Sequence, residues 1–238
     1  MSNEPTDILR FHDVTIAADR EYEPGLCNLS LSFAAGDLAV VLLEKDQVRI
    51  PLADAAEGLV TPVQGTVTFL GEDWQTMTPD RAAVQRGKIG RVFEGESWLS
   101  GLNVDQNITL AQRHHTHRPI KEIEEEATHL CRVFGLPGLP RGGPSNTRWQ
   151  DLHKAACVRA FLGAPLLILL ENPTSGIYAD VIAPLIDTVR EARERGAAVL
   201  WTMNKLEVWN SPGLLATSRW RMLGSPTCVI EEAKEATG

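Results

Sequence analysis

Residues 166–177 read LLILLENPTSGI, an apolar run that ends in two polar residues and a turn. An uninterrupted apolar stretch of this length predicts a strand that is buried on both faces of a sheet. Helical periodicity follows over 180–195, and a second apolar run covers 197–202. Strand, helix and strand joined by short turns form a βαβ unit. The sequence therefore predicts a mainly parallel sheet covered by helices.

The N-terminal part predicts an antiparallel piece. Residues 8–17 and 28–33 alternate apolar with polar side chains, which is typical of half-buried strands. The other predicted elements are strands over 38–43 and 65–71, and helices over 51–59, 78–85, 122–134 and 151–162.

These segments predict the domain organisation. We expect a single α/β domain over 1–238. Its α/β core is expected at 1–75 and 161–238, and a helical subdomain at 76–160.

Composition limits the classes of partner. The chain has 23 basic and 31 acidic residues and a formal net charge of −8, which disfavours nucleic acid as a partner. Its four cysteines lie far apart, as expected for free thiols in a reducing cytosol. The longest apolar stretch, 160–170, is too short to span a bilayer. We expect contact with a membrane only through a partner.

Several motifs, in order along the chain, resemble those of the ABC ATPases. Residues 166–177 resemble the Walker B and D-loop region, and GD at 36–37 with EGL at 57–59 resemble the segments that flank the Walker A loop. IGRVFE at 89–94, followed by LNVDQN at 102–107, resembles the Q-loop region. The resemblance covers almost the whole chain and implies an ABC cassette with a P-loop NTPase-like fold.

The resemblance also implies cofactors and partners. Family members bind ATP and magnesium, pair as dimers and dock onto an integral membrane permease. For this chain it implies a homodimer or a heterodimer with another ABC-type subunit, at the cytoplasmic face of the membrane. The segment 93–107 is weakly similar to the lipid-transport (Mla/Mce-type) branch.

The segment 43–51, LEKDQVRIP, stands at the position of the family's phosphate-binding loop. Such a loop needs glycines whose backbone N–H groups face the phosphates, a lysine, and a hydroxyl for magnesium. Here no loop glycine is present, Arg49 replaces the lysine, and Ile50 and Pro51 replace the hydroxyls. We expect a structural turn. The alternatives are that Arg49 pairs with phosphate, or that Lys45 is a displaced phosphate ligand.

The Walker B positions are altered too. The family supplies an aspartate for magnesium and then a glutamate that activates water. Here the positions hold Glu171 and Asn172, and an amide cannot accept a proton. Glu171 could ligate a cation, or it could cap or pair at the end of the strand.

Other family positions are substituted as well. Glu94 replaces the Q-loop glutamine, Asn204 the histidine after the next strand, and Tyr178 the D-loop aspartate. In the segment aligned with the signature motif, the serine and both glycines are replaced by Arg148, Trp149 and Gln150. We therefore expect no catalytic residues and no cofactor. A homodimer would have two inactive sites, and beside an intact partner each composite site would contain one defective half.

Two further groups of residues allow alternative interpretations. In the family, a groove in the segment after the Q-loop receives a coupling helix of the permease, and its candidates here are Phe93, Trp98, Leu99 and Leu102. These apolar residues could instead be core. The histidines at 114, 115 and 117 could suggest a metal, but the segment 112–119 is predicted as a polar loop without a ligand set.

Three functions remain open. The first is a pseudo-ATPase subunit that acts as a scaffold or regulator of a membrane transport complex. The second is an active, divergent ATPase that uses Arg49, Glu171 and Glu94 in altered roles. The third is a soluble binding protein that reuses the fold and its cleft.

Overall fold

The structure is a computed structural model that describes residues 7–18, 25–43, 50–95, 97–211, 213–223 and 227–232. Within these ranges the strands are β1 (Leu9–Ile16), β2 (Gly25–Phe33), β3 (Leu38–Leu42), β4 (Gln64–Phe69), β5 (Glu72–Asp73), β6 (Ile89–Val92), β7 (Leu167–Glu171), β8 (Ala198–Met203), β9 (Ser218–Leu223) and β10 (Thr227–Glu232). The helices are α1 (Leu52–Ala56), α2 (Pro79–Arg86), α3 (Val104–His115), α4 (Ile120–Val133), α5 (Trp149–Phe161), α6 (Tyr178–Glu194) and α7 (Leu206–Trp209), with a 3-10 turn at Pro144–Asn146.

The chain divides into two compact units. The first comprises Met1–Arg86 and Ala198–Gly238, and the second comprises Gly87–Ala197. In the first unit the strands lie in the order β5-β4-β1-β2-β10-β9-β3-β8. β1 pairs antiparallel with both β2 and β4, as the alternating pattern predicts.

In the first unit, β3 lies between two parallel neighbours. It pairs parallel with β8 on one side and with β9 on the other. Every side chain of β3 and β8 is buried, including Trp201, so an uninterrupted apolar run is what this position requires. These pairings confirm the predicted parallel core with an antiparallel N-terminal piece.

The second unit combines a short parallel pair of strands with four long helices. β6 and β7 pair parallel, and Arg91 lies opposite Leu169. α4 buries Ile123, Ala127 and Cys131, a spacing of four that places them on one face of the helix. α3, α4 and α5 pack against one another, and α5 packs against β6. This packing fixes α5 beside the strands that carry the candidate site.

One sequence-based prediction is wrong. Residues 112–119 are predicted to be a polar loop, but α3 continues to His115, so the loop is confined to 116–119. The sequence does not predict α3 because its inner face is partly polar, with Asn107 and Gln112 buried. A helix that buries hydrogen-bonded amides lacks the apolar periodicity on which the prediction depended.

Candidate functional site

A buried ion pair joins β6 and β7. The Nε atom of Arg91 donates to the Oε2 atom of Glu171 at 2.8 Å. The side chains of Arg91 and Glu171 are only 2% and 8% exposed. The guanidinium of Arg91 also lies over the ring of Phe93, 4.3 Å from its centroid. A carboxylate at this depth is costly without an opposite charge, so Arg91 provides the cation that lets Glu171 remain ionised.

Asn172, the next residue, turns the chain away from the strand. Its φ of 44° lies in the left-handed region, which asparagine tolerates better than most residues. Its Nδ2 atom donates to the Oε1 atom of Glu94 at 2.8 Å. The structure thus brings together the Q-loop and Walker B positions named from the sequence, and they bond to each other.

Trp149, the first residue of α5, packs against the turn that follows β7. A Cβ atom at Gly176, whose φ is 72°, would lie 2.5 Å from the Cη2 atom of Trp149, so glycine permits this approach. The Trp149 side chain is nevertheless 52% exposed. The two flanking residues of the signature segment, Arg148 and Gln150, are exposed. Trp149 is therefore the member of this segment that contributes a surface to the site.

His153 lies one helical turn further along α5. Its ring meets that of Trp149 edge-on, with centroids 6.4 Å apart. Burial lowers the pKa of His153, although hydrogen bonds to the backbone of Asn172 and Pro173 act in the opposite direction. Its Nε2 atom is buried, and no residue in the described part of the chain bonds to it. The ring therefore has a hydrogen-bonding nitrogen without a partner among the described residues.

These side chains surround a cleft of about 360 Å³, called here the strand-end cleft. It combines aromatic surfaces with the carboxylates of Glu94 and Glu171. Its described lining residues are Val92, Phe93, Glu94, Gly95, Ser97, Trp98, Trp149, Leu152, His153, Ala156, Glu171, Asn172 and Ser175.

Arg159 holds the loop that follows β6. Its Nη1 and Nη2 atoms donate to the backbone oxygen and to the Oγ atom of Ser97, at 2.8 and 2.6 Å. The guanidinium also lies 4.7 Å from the centroid of Trp98 and 5.5 Å from that of Phe93. Burial lowers the pKa of Arg159 to about 10. Arg159 stays charged at neutral pH and fixes the aromatic side chains of the loop.

Asn107 closes the same loop. Its Nδ2 atom lies within 3.1 Å of the backbone oxygens of Leu99, Leu102 and Asn103. Its Oδ1 atom accepts from the backbone N–H of Leu99 at 2.9 Å. The two hydrogens of this amide are shared among the three oxygens, so one side chain bonds to several backbone groups of the turn.

Beside this loop lies a second concavity of about 520 Å³, called here the apolar groove. Leu99 and Leu110 on its walls are 53% and 42% exposed. Its described lining residues are Phe93, Ser97, Leu99, Asn107, Leu110, Ala111, His114, His115 and Arg159. Of the predicted groove residues, Phe93 and Leu99 line it, and Trp98 lines the strand-end cleft. Leu102 is not among the described lining residues of either, and its backbone oxygen accepts from Asn107.

Other predicted site residues lie elsewhere. Lys45 and Arg49 fall outside the described residues. Asn204 follows β8 in the first unit, and Tyr178 begins α6. In the described ranges no three His, Cys, Asp or Glu side chains are grouped as a metal site. None of the described helices is both long and apolar enough to cross a bilayer.

Sequence reasoning missed several residues that build the site. Arg91 had a visible signal, because an arginine inside the otherwise apolar strand IGRV requires a buried partner. Asn107 belongs to the motif LNVDQN at 102–107, but the sequence predicts no role for its side chain. His153 and Arg159 had no signal beyond their place in a predicted helix, because their partners are distant in sequence.

Comparison with known proteins finds similar sequences among ATP-binding proteins of transport and release systems. A scan against models of known protein families gives no match. The sulfate/thiosulfate import ATP-binding protein CysA of Mesorhizobium japonicum is 28% identical over 181 residues, covering 74% of this chain and 51% of that protein. The lipoprotein-releasing system ATP-binding protein LolD of Oleidesulfovibrio alaskensis is 27% identical over 150 residues, covering 63% of this chain and 64% of that protein.

Solved structures show which fold the chain shares. The dimeric structure of the ABC transporter cassette MJ0796 superposes with a TM-score of 0.78 at 16% identity, over 95% of this chain and 99% of that one. The chain has the fold of an ABC cassette. The cassette also superposes on an ATP-binding subunit of an ABC transporter with a TM-score of 0.75 at 17% identity, over 94% of this chain and 90% of that one. It spans half to two thirds of the length of these curated relatives.

Proposed function

We propose that this cassette is a subunit of a membrane transport complex and acts there as a scaffold or regulator that does not hydrolyse ATP. The relatives are ATP-binding proteins of transport and release systems, which supports the placement in such a complex. The names of these relatives specify different substrates, so no cargo is carried over. The lipid-transport branch remains a prediction from residues 93–107.

The ion pair of Arg91 with Glu171 carries the proposal that hydrolysis is lost. At this position the family needs a carboxylate that ligates magnesium, whereas here a buried guanidinium already faces it. The following Asn172 is an amide that donates to Glu94 and cannot accept a proton from water. These described residues do not fit a magnesium–ATP complex. The sequence of the loop at 44–49, without a glycine, agrees with that conclusion.

The apolar groove supports docking onto a permease. Exposed Leu99 and Leu110 flank it, and buried Asn107 and half-buried Arg159 fix its walls. Docking depends on shape and on the burial of apolar surface, so it does not require the binding or hydrolysis of ATP. The proposed location is the cytoplasmic face of the membrane, where the cassette is held through the permease. The dimer seen for MJ0796 supports pairing, either with a second copy or with another cassette.

A specific observation also favours the alternative of an active, divergent ATPase. Glu94 places a carboxylate 2.8 Å from the amide of Asn172, so an acidic group remains beside the Walker B position. In that case Glu94 would take over the activation of water, and ATP and magnesium would be cofactors.

Steady-state ATP hydrolysis with magnesium separates the two proposals. The purified cassette and the Glu94→Gln variant are assayed alone and together with the permease. We expect no turnover above a matched heat-inactivated sample in either protein. Turnover that disappears in Glu94→Gln would establish the divergent ATPase and overturn the scaffold proposal.

A membrane co-sedimentation assay tests docking through the apolar groove. The Leu99→Asp and Leu110→Asp variants place a charge on the groove wall and should lose most of their membrane association. Leu215→Asp is the matched control, since Leu215 is 71% exposed in the first unit and lies outside the groove. Equal association of all three variants would contradict docking through this surface.

A further inference from the structure

We infer that the strand-end cleft binds a small organic amine that carries a planar aromatic ring. The inference concerns the chemistry of the cleft in the second unit. It goes beyond the proposed function and does not depend on whether ATP is hydrolysed.

The aromatic part of the inference rests on Trp149. In the cleft, Phe93 and Trp98 are already covered by the guanidinium groups of Arg91 and Arg159. Trp149 is held by Gly176 and His153 but remains 52% exposed. A fixed, half-exposed indole beside a concavity is a surface on which a planar ring stacks.

The cationic part rests on the polar lining. Glu94 lines the cleft and is exposed, and its carboxylate accepts one hydrogen bond from Asn172. A carboxylate has about four lone-pair sites, so Glu94 keeps acceptor capacity for a ligand. No lysine or arginine is among the described lining residues. Glu171 is paired with Arg91, so Glu94 is the carboxylate that attracts a protonated amine to the cleft.

His153 supplies the third recognition element. His153 lines the cleft, and its Nε2 atom is buried and has no bonding partner among the described residues. The Nε2 atom is therefore the hydrogen-bonding group that His153 offers to a ligand. An N–H group on the ligand ring would satisfy this nitrogen, because a buried acceptor without a partner is costly.

The size of the cleft fits such a ligand. A volume of about 360 Å³ lies near the lower end of the range for small-molecule sites. Tryptamine has the required parts: a planar ring, a ring N–H group and a primary amine. Indole-3-propionate keeps the ring and the chain length but carries a carboxylate. The two compounds form a matched pair that differs in the sign of the charge.

The test is a calorimetric titration of the whole chain with tryptamine and with indole-3-propionate. We expect saturable binding of tryptamine, and at least about tenfold weaker binding of the carboxylate because it meets Glu94. Glu94→Gln keeps an oxygen that can accept from Asn172 but removes the charge, and should weaken tryptamine binding about tenfold. Trp149→Ala should weaken it similarly. Glu125→Gln, an exposed acid on α4 outside the cleft, is the matched control.

Several outcomes would overturn the inference. They are the absence of tryptamine binding at millimolar concentration, equal affinity for the two compounds, and full affinity in both Glu94→Gln and Trp149→Ala. Circular dichroism of each variant verifies the fold, and the two-compound comparison on the unmodified chain needs no variant. ATP hydrolysis measured on the same sample reports separately on the proposed function, so the two can fail independently.

Discussion

The Nε atom of Arg91 lies 2.8 Å from the Oε2 atom of Glu171, and both side chains are almost completely buried. This pair puts a permanent protein cation against the carboxylate at the magnesium-ligating position of the family. A guanidinium keeps its charge at every physiological pH, so Arg91 remains paired with the carboxylate of Glu171. The relationship links the packing of the second unit to the proposed loss of catalysis.

The first prediction concerns the stability that this pair provides. Arg91→Met removes the cation and leaves the buried carboxylate of Glu171 without it, which should lower the free energy of unfolding by about 3–5 kcal/mol. Chemical denaturation at pH 7 measures the loss. The double variant Arg91→Met, Glu171→Gln should recover much of it, because the buried negative charge is then gone.

An exposed pair provides the control. Arg148 donates to Asp151 at a similar distance, 2.9 Å, but its side chain is 81% exposed. Arg148→Met should therefore change the free energy of unfolding by no more than about 0.5 kcal/mol. If Arg91→Met and Arg148→Met are equally mild, the buried pair does not stabilise the second unit in the way described.

The second prediction concerns Asn172. Asn172→Glu restores the residue type of the family but places a second carboxylate beside Glu94, at a position with a left-handed backbone. Repulsion and backbone strain should together lower the free energy of unfolding by about 1–3 kcal/mol at neutral pH. Adding Glu94→Gln should relieve the share due to repulsion. ATP hydrolysis should remain absent in both variants; turnover in the double variant would show that Arg91 does not block the site.

The third prediction concerns the loop at 99–103. Asn107→Ala removes the amide that bonds to the backbone of Leu99, Leu102 and Asn103. We expect a loss of about 2–3 kcal/mol, because backbone groups lose their partners, and faster amide exchange at Leu99. Hydrogen-exchange mass spectrometry measures the local effect. Gln106→Ala, which removes a single bond to the Asn103 backbone, should cost clearly less.

The fourth prediction is a pH dependence of stability. The pKa of His153 is lowered in the folded chain, mainly by burial, so the unfolded chain binds the proton more tightly. The neutral ring therefore contributes its full stability above pH 6.5, the ordinary pKa of histidine. The free energy of unfolding falls as the pH drops below 6.5 toward the lowered pKa of His153 in the folded chain.

Denaturation at several pH values measures this effect. His153→Gln should make the loss of stability below about pH 6.5 shallower. His117→Gln, at an exposed position after α3, is the control and should leave the slope unchanged. Identical slopes in the unmodified chain and in His153→Gln would contradict the assigned environment of His153.

Much of the fold was predictable because its strands have simple patterns. β3, β7 and β8 are uninterrupted apolar runs with both faces buried, and β1 alternates because one face is solvated. α3 was not predictable, because Asn107 and Gln112 fill its inner face and bond to the backbone of other segments. These amides can be buried because they bond to backbone oxygens of other segments, which the sequence of the helix alone does not reveal.

The site was predictable only in part. Glu171 and Asn172 are placed by the end of a recognisable strand, so their position followed from the sequence. Their partners did not, because Arg91 reaches Glu171 only through the parallel pairing of β6 and β7. Likewise, the approach of Trp149 to Gly176 joins a helix start to a distant turn. Contacts of this kind are set by tertiary packing and leave no periodic trace in the sequence.

The central claim is that Glu171 holds Arg91 in place of a magnesium ion, and the dependence of ATP binding on magnesium tests it most directly. The purified chain is titrated with ATP by calorimetry, once with excess magnesium and once with EDTA. The account predicts the same result in both titrations, whether ATP binds weakly or not at all. Affinity raised by magnesium about tenfold or more would contradict it, since the metal would then have a site that the buried pair should deny it.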